Sequence, residues 1–306
     1  MLYTFNSQMP SLSNKHPGKD ITEEDLKTKF PLCAKKFKGH RSKFKISGVE
    51  FGGKKIPIFA GPNTVENKKM IMETAKKVKK LGASFLRGGA FKPLTFPYRS
   101  DKYFETKLDG LKWLSDAKKR YKIPIITEIM EEIYLDDVCD VADILQIGSR
   151  NMQNFPLLTA CAKTMKPIML KRHFGCSLRD WLGAAEYILK EGNKKLLLCE
   201  RGVSVPHTHR STSRFLLDLQ VVPAAKDFTH LPIICDPSHA TFWREWVSPM
   251  AMASVAAGAD GIMIEAHPNP TKAAVDPLQP ISFVELSKLM KKMNKIAKVV
   301  YNRKVI

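Results

Sequence analysis

The sequence predicts an α/β fold, namely a (β/α)8 TIM barrel preceded by a short N-terminal hairpin and an extension. The chain has 306 residues, a length that suits a barrel built as one domain with a large core. Eight short apolar runs, bounded by Gly, Pro or polar residues, recur along the chain and alternate with amphipathic segments. Nearly continuous apolar runs are typical of parallel strands buried on both faces. A doubly wound sheet is the structural alternative, but no G-x-G-x-x-G follows the first run.

Each predicted strand is a short apolar run that ends near polar residues. The eight runs are residues 56–61, 84–89, 123–129, 144–148, 167–172, 195–202, 232–239 and 261–268. Between them, residues 67–82 and 178–193 show the apolar spacing of amphipathic helices, and the second segment closes with the Gly-Asn pair that favours a helix C-terminus.

The chain ahead of the first strand divides into two parts. Residues 1–43 are polar and rich in Lys, which predicts a flexible or surface-bound extension. Residues 44–306 form the predicted catalytic barrel domain, and its first part, 44–55, reads as a hairpin that turns at Gly52-Gly53 and closes the bottom of the barrel.

Composition limits the class of protein. Lys and Arg outnumber Asp and Glu by 50 to 30, a net charge of +20 that favours anionic partners. The Lys-rich runs are interpreted as solvated faces and not as a nucleic-acid surface, because no aromatic interleaving accompanies them. The six cysteines are scattered, which fits reduced thiols in the cytoplasm. No apolar run approaches the roughly 20 residues of a membrane span, so no membrane partner is predicted.

Polar side chains at the ends of the predicted strands are the candidate site. In such barrels the carboxyl ends of the strands and the loops after them form the active site. In chain order these residues are Asn63, Arg87, Lys92, Glu128, Arg150, Lys171, Arg201, Asp236, His239, Glu265 and His267. Five of them are cations. Arg guanidinium groups and Lys ammonium groups are the usual partners of phosphate and carboxylate groups. Any one of them could form an ordinary salt bridge, but five on successive strand ends predict an anion pocket.

A second set, His239, Glu265 and Asp276, mixes the imidazole and carboxylates that hold a divalent cation or position water. His239 could instead be a core histidine, and Asp236 could be a loop cap. His207 and His209 have H-x-H spacing but fall in a polar loop, so they receive no role.

Seven ordered motifs carry a family resemblance. They are "AGPNTVEN", "LRGGAFKPLTFPY", "QIGSRNMQNFPLL", "LKR", "GNKKLLLCERG", "LPIICDPSHAT" and "GADGIMIEAHPNPTKAAVDPLQ". Together, over roughly residues 45 to 290, they resemble 3-deoxy-D-arabino-heptulosonate 7-phosphate (DAHP) synthases of type Iβ, which group with the 3-deoxy-manno-octulosonate 8-phosphate synthases. The resemblance implies a transferase that condenses phosphoenolpyruvate with erythrose 4-phosphate and releases phosphate, the first step of the shikimate pathway to the aromatic amino acids.

The resemblance also implies roles for individual residues. Arg87, Lys92, Arg150, Lys171 and Arg201 match the residues that bind phosphoenolpyruvate. His239, Glu265 and Asp276 match three of the four metal ligands, and Asn63 stands where the fourth, a cysteine, is expected. The expected catalytic residues are Lys92, Asn63, His239 and Glu128, and the expected acceptor-binding residues are Thr95, Asp236 and Asp276. Because a neutral amide is a weak ligand, no obligatory cofactor is predicted, although a weakly bound divalent metal at His239, Glu265 and Asp276 stays open.

Other departures from the family pattern lie on the acceptor side. Leu94 replaces an arginine expected to contact the acceptor phosphate, and Phe96 replaces a serine. Arg99 and Lys102 are candidate substitutes for that contact. His173 stands in place of a glycine, and Phe242 and Trp243 stand where small residues are expected.

These departures keep two alternatives open. One is a barrel that binds phosphoenolpyruvate-like anions without turnover; the other is a Schiff-base aldolase that uses Lys171. The resemblance further implies a homodimer or homotetramer.

Overall fold

The computed structural model describes residues 21–92, 105–206 and 215–306. Eight parallel strands close into a barrel in the order β12-β13-β4-β5-β6-β7-β8-β9, which confirms the predicted (β/α)8 fold. In chain order the strands are β1 (Phe44–Ile46), β2 (Val49–Phe51), β3 (Lys55–Ile56), β4 (Ile58–Gly61), β5 (Phe85–Arg87), β6 (Ile125–Ile129), β7 (Ile144–Ile147), β8 (Ile168–Lys171), β9 (Leu196–Glu200), β10 (Val203–Ser204), β11 (Phe215–Leu216), β12 (Ile233–Cys235), β13 (Gly261–Glu265) and β14 (Lys304–Val305).

Helices follow the barrel strands and cover them on the outside. They are α1 (Glu23–Thr28), α2 (Lys68–Leu81), α3 (Lys107–Tyr121), α4 (Leu135–Val141), α5 (Phe155–Lys163), α6 (Leu178–Lys190), α7 (Val221–Phe228), α8 (Pro237–Thr241), α9 (Arg244–Ala256) and α10 (Phe283–Tyr301), with short 3-10 turns at Glu132–Tyr134, Ser149–Asn151 and Pro270–Lys272. Helix α2 begins at Asn67, whose side chain accepts from the Met70 amide, and ends at Gly82 with φ 93°, a left-handed conformation that glycine adopts without strain.

Two apolar cores flank the barrel wall. Alternate residues of each strand point into the lumen, where Phe59, Phe85, Met169, Leu197 and Met263 pack together. The other residues of the strands pack against the helices in a larger outer core, in which Trp181 of α6 is fully buried. Burial on both faces explains why the strands read as continuous apolar runs.

The N-terminal hairpin closes the bottom of the barrel, but its turn is not where the sequence predicted it. Phe44 pairs with Phe51 and Ile46 with Val49, so the chain turns at Ser47-Gly48 and not at Gly52-Gly53. Gly52 lies at φ 73°, and a Cβ there would fall 1.9 Å from the Ser42 carbonyl oxygen. The second glycine pair therefore permits a close backbone approach on the way into β3, which pairs with β14.

The described part of the extension, residues 21–43, lies against the barrel. Asp25 accepts two hydrogen bonds from Arg179 of α6, at 2.7 and 2.8 Å, and Phe30 and Cys33 are buried in the outer core. The boundary at residue 43 between extension and barrel stays a prediction. No helix in the described ranges has the length and apolar character needed to cross a membrane.

Candidate active site

The carboxyl ends of the parallel strands place the predicted polar residues on one rim. Arg87, Lys171 and Glu265 are the last residues of β5, β8 and β13, and Asp236 directly follows β12. All four side chains are buried, at 3% exposure or less. Buried charges need partners, and here the partners are one another.

Asn63 connects two cations to the rim. Its side-chain oxygen accepts hydrogen bonds from Lys92 Nζ and, at 3.3 Å, from Arg87 Nη2. Its amide nitrogen donates to Asp276 Oδ2 at 3.3 Å. Arg87 Nη1 also pairs with Glu265 Oε1 at 2.9 Å. One neutral amide therefore links Arg87, Lys92 and Asp276.

A second group begins at Lys171. Its ammonium lies 2.6 Å from Asp236 Oδ2, and the same carboxylate oxygen lies 2.8 Å from His239 Nδ1. His239 Nε2 lies 3.2 Å from Glu265 Oε1, so the two groups meet at Glu265. Asp236 also caps α8 by accepting from the His239 amide. Asp236 therefore both caps α8 and contacts the rim cation Lys171.

Burial and neighbouring charges set the ionisation of this group. Burial lowers the pKa of His239 well below its usual value, and Lys171 and Arg87 add to that effect while Asp236 opposes it. Burial alone would raise the pKa of Asp236, but the hydrogen bond from His239 and the charges of Lys171 and Arg87 hold it well below its usual range. Burial raises the pKa of Glu265, with Arg87 opposing. The imidazole is therefore neutral beside an ionised Asp236.

Burial weakens the charge of Lys92 on the rim. Burial lowers the pKa of its ammonium to about 8, and Arg87 and Lys171 add to the effect while Glu128 and Glu265 oppose it. Glu128 is buried and accepts from Gln146 Nε2 at 3.1 Å. A lysine with this pKa can give up or hold a proton near neutrality.

The remaining cations extend the positive field. The Arg201 guanidinium lies 4.2 Å from the centre of the Phe215 ring, and the charge of Arg150 acts on it. Arg150 itself is exposed on the turn after β7. Two buried guanidinium atoms, Arg87 Nε and Arg201 Nη1, have no hydrogen-bond acceptor among the described residues. Such donors are available to an anionic ligand.

Some buried charged residues at the same strand ends were not predicted. Arg172 pairs with Glu200 Oε2 at 3.1 Å and with Asp218 Oδ2 at 2.8 Å. Burial raises the pKa of Glu200, whose other oxygen accepts from the Gly202 amide. The two-residue period of strands could have indicated that Arg172 points away from neighbouring Lys171.

His267, two residues after the end of β13, pairs with Glu66. Its Nε2 lies 3.1 Å from Glu66 Oε1, which also accepts from the Ala274 amide at 2.8 Å. Burial would raise the pKa of Glu66, but the His267 and Ala274 hydrogen bonds lower it. This clip fixes the loop that carries Asp276, which lies in the left-handed region at φ 50°. His267 thus connects this loop to the chain after β4.

Several acceptor-side residues lie outside the described residues. They are Thr95, Leu94, Phe96, Arg99 and Lys102, together with His207 and His209. Of the other departures, His173 stacks on Phe174 with ring centres 4.1 Å apart, and Phe174 contacts Phe215 beneath Arg201. Phe242 ends α8 in the left-handed conformation. Bulky rings thus line the wall next to Arg201.

Comparison with known proteins decides the family. The sequence profile of the DAHP synthetase I family matches residues 37–301, which is nearly the whole barrel domain. The chain belongs to the DAHP synthetase I family.

Individual relatives agree with this family. The chain is 38% identical to a phospho-2-dehydro-3-deoxyheptonate aldolase of Thermotoga maritima, over 94% of this chain and 83% of the relative. It is 28% identical to a 2-dehydro-3-deoxyphosphooctonate aldolase of Fusobacterium nucleatum, over 85% of this chain and 97% of the relative. Both branches named by the resemblance are thus represented.

Solved structures of the same family share the barrel. A crystal structure of the Thermotoga maritima DAHP synthase superposes with a TM-score of 0.83 at 38% identity, covering 90% of this chain and 78% of the other. A truncated form of the enzyme from that organism covers 91% of this chain and is itself covered completely, with a TM-score of 0.81. The truncated enzyme and this chain therefore correspond along the whole barrel.

Within the DAHP synthetase I family, the residues present here do not fit a transition-metal centre. The Asn63 oxygen, at the position where the resemblance implies a cysteine, already accepts from two cations. In the ranges the structure describes, no three His, Cys, Asp or Glu side chains converge closely enough to hold a metal ion. Arg87 and His239 instead occupy Glu265 Oε1.

Proposed function

We propose that the chain catalyses the aldol-type condensation of phosphoenolpyruvate with a sugar aldehyde and releases inorganic phosphate, as a DAHP synthase. One observation carries the proposal. The rim joins Lys171, Asp236, His239, Glu265, Arg87, Asn63 and Lys92 by successive contacts, while buried donors of Arg87 and Arg201 have no acceptor among the described residues. Membership of the family supports the same reaction.

The cations suit the charge of phosphoenolpyruvate. Its phosphate and carboxylate require several fixed positive charges, which Arg87, Lys92, Lys171 and Arg201 bring to one rim, with Arg150 beside Arg201. Burial strengthens each charge–charge contact because the local dielectric is low. Fixing the enol in one orientation lets C3 attack the aldehyde carbon while water adds to C2.

The reaction requires one group that donates a proton to the aldehyde oxygen and one that accepts a proton from the attacking water. The aldehyde oxygen takes a proton as the C–C bond forms, and the water that attacks C2 loses one before phosphate leaves. We assign the proton given to the aldehyde oxygen to Lys92, because its pKa of about 8 lies near working pH. Neutral His239 is the candidate to accept from the attacking water.

We propose erythrose 4-phosphate as the first acceptor to test. The family name of the relatives favours it, and Thr95, Asp236 and Asp276 are the proposed acceptor contacts. Asp236 and Asp276 lie on the same connected rim. Leu94 and Phe96 motivate a panel of acceptors, since they remove polar groups from that side.

We also propose that turnover needs no obligatory metal. The Asn63 amide holds Lys92 and Arg87 through its oxygen and Asp276 through its nitrogen, which leaves it no lone pair suited to a tightly held metal. A weakly bound divalent ion at His239, Glu265 and Asp276 stays a prediction.

Phosphate release tests the reaction. Metal-stripped protein is mixed with phosphoenolpyruvate, with and without erythrose 4-phosphate and other aldoses, and free phosphate is measured. We expect release only when an aldehyde is present. Thermal stabilisation by phosphoenolpyruvate without release across the whole panel would support the alternative of a binding barrel, and trapping of a keto substrate on Lys171 by borohydride would support the Schiff-base alternative.

Assembly and location are further proposals. A homodimer or homotetramer follows from the family resemblance, and a cytoplasmic location is supported by the six cysteines, which are all free thiols. Burial raises the pKa of Cys33, Cys161 and Cys235, which keeps these thiols unreactive. Size-exclusion chromatography with light scattering measures the oligomeric state.

A further inference from the structure

A large open cleft lies at the end of the barrel opposite the rim. Its volume is about 750 Å³, within the range of small-molecule sites. Five pieces of chain meet around it: the segment before β1, the link from β2 to β3, helix α7, the turn between α9 and β13, and the end of α10 with the residues after it. Asp260 and Gly258, at the start of β13, mark the amino-terminal end of the strands, so this cleft is separate from the candidate active site.

The lining of the cleft is strongly cationic. Seven Lys and Arg side chains line it against two acids, Glu50 and Asp227. Four of the cations are exposed, namely Arg41, Lys43, Lys54 and Lys55. The other three, Lys35, Lys226 and Arg303, are partly or wholly buried. A concave surface with one sign of charge concentrates ions of the opposite sign.

Lys226 and Arg303 share one carboxylate. Asp260 pairs with Lys226 Nζ at 2.9 Å through one oxygen and with Arg303 Nη2 at 3.2 Å through the other. The carboxylate of Glu50 lies over the backbone of Gly53. A Cβ added to Gly53 would fall 1.6 Å from Glu50 Oε1. The acids in and beside the cleft therefore neutralise only part of the positive charge of its lining.

Arg303 supplies a donor without an acceptor. The residue is 9% exposed, and its Nε has no hydrogen-bond partner among the described residues, although Nη1 donates to the Ala259 carbonyl at 3.1 Å. Burial lowers the pKa of Lys226, and Arg303 and Arg41 add to this effect against Asp260. An unpaired buried donor in a positive field is the environment that an anion stabilises.

We propose that this cleft binds a small multivalent anion with phosphate or carboxylate groups. Guanidinium and ammonium groups are the usual partners of both. Pro223, Ala257 and Tyr301 provide a less polar wall for the remainder of such a molecule. The inference stands on the lining alone and does not depend on the reaction proposed for the rim.

Calorimetric titration of the whole chain with inorganic pyrophosphate at low ionic strength tests the site. Because pyrophosphate can also reach the rim, the Arg201→Gln variant, which removes one rim cation, shows which binding event belongs to the rim. Two double variants remove exposed cations of the lining, Lys54→Gln/Lys55→Gln and Arg41→Gln/Lys43→Gln. The matched control, Lys76→Gln/Lys77→Gln, removes two exposed lysines of α2 and changes net charge equally.

We expect a binding event that persists in Arg201→Gln and that weakens about ten-fold in each lining variant, since each loses two charged contacts, while the control changes little. Thermal unfolding of every variant verifies that it is folded. Absence of a second event, its loss in Arg201→Gln alone, or equal weakening in the control would overturn the proposal.

Discussion

The Lys92 ammonium donates a hydrogen bond to the side-chain oxygen of Asn63. The partner is a neutral amide, so the contact orients the ammonium without supplying a full opposing charge. Burial therefore dominates, and the pKa of Lys92 falls to about 8. The ammonium form, which binds an anion and can donate a proton, is the form present below this value.

This pKa predicts an alkaline limb in the pH profile. We expect kcat/KM for phosphoenolpyruvate to be constant below the pKa of about 8 and to fall about ten-fold per pH unit above it, because kcat/KM reports ionisations of the free enzyme. Steady-state rates across the alkaline range measure it. Lys92→Arg stays charged but cannot donate the proton, so we expect a much lower rate whose pH profile lacks the limb. A limb that persists in the residual activity of this variant assigns the ionisation to another group.

Glu128 supports the charge of Lys92, and its removal should move the limb. The carboxylate raises the pKa of Lys92, so Glu128→Gln should shift the alkaline limb to lower pH, by about one unit or less. Gly148→Ala should act in the same direction, because its Cβ would fall 2.0 Å from Glu128 Oε1 and displace the carboxylate.

The control for this pair is Gly183→Ala on α6, where the nearest atom to a new Cβ is 4.0 Å away. We expect its pH profile to match the unsubstituted protein. A limb that moves to higher pH in Glu128→Gln would contradict the assigned electrostatics.

The buried pair of Arg87 and Glu265 predicts a stability effect. Both side chains are at most 3% exposed, and removal of one partner of a buried pair costs about 3 kcal/mol or more. Arg87→Met should therefore lower the free energy of unfolding by about this amount in urea denaturation. Arg87→Met/Glu265→Leu should recover part of the loss.

The exposed ion pair of Lys68 and Asp116 serves as the comparison for the buried pair of Arg87 and Glu265. Lys68 and Asp116 lie 2.7 Å apart with side chains 57% and 35% exposed, so Lys68→Met should change the free energy of unfolding by less than about 1 kcal/mol. Similar losses for Lys68→Met and Arg87→Met would show that burial does not control the strength of the rim pair.

Chelation tests the proposed independence from metal. Dialysis against EDTA should leave turnover within about two-fold of the untreated rate, because the Asn63 oxygen is already engaged by Arg87 and Lys92. Atomic spectroscopy of the purified protein should show less than one equivalent of any divalent metal. Loss of turnover that a divalent ion restores would reverse this prediction.

Much of the fold and of the rim could be predicted from the sequence, since both depend on local patterns. The apolar runs gave the strands because burial on both faces leaves few polar positions. The cations at strand ends followed because parallel strands end on one side. Asn63 stood out because it interrupts a motif at a strand end.

The remainder depends on contacts between distant parts of the chain. The Glu66–His267 clip joins residues 201 positions apart, and no local pattern encodes such a pair. The predicted position of the hairpin turn is wrong because two glycine positions, Gly48 and Gly52, are both suited to a turn. Both adopt positive φ in the structure. Only strand pairing distinguishes a turn glycine from one that allows a close backbone approach.

The rings of Phe51, Phe59 and Phe85, with centres 5.0 to 6.0 Å apart, form a floor under the lumen. Among the residues that the structure describes, these rings close the lumen on that side, so the groups on the rim face solvent at the carboxyl ends of the strands. Substrate and product therefore have no route through this floor of aromatic rings, and exchange with solvent takes place on the side of the barrel where the strands end.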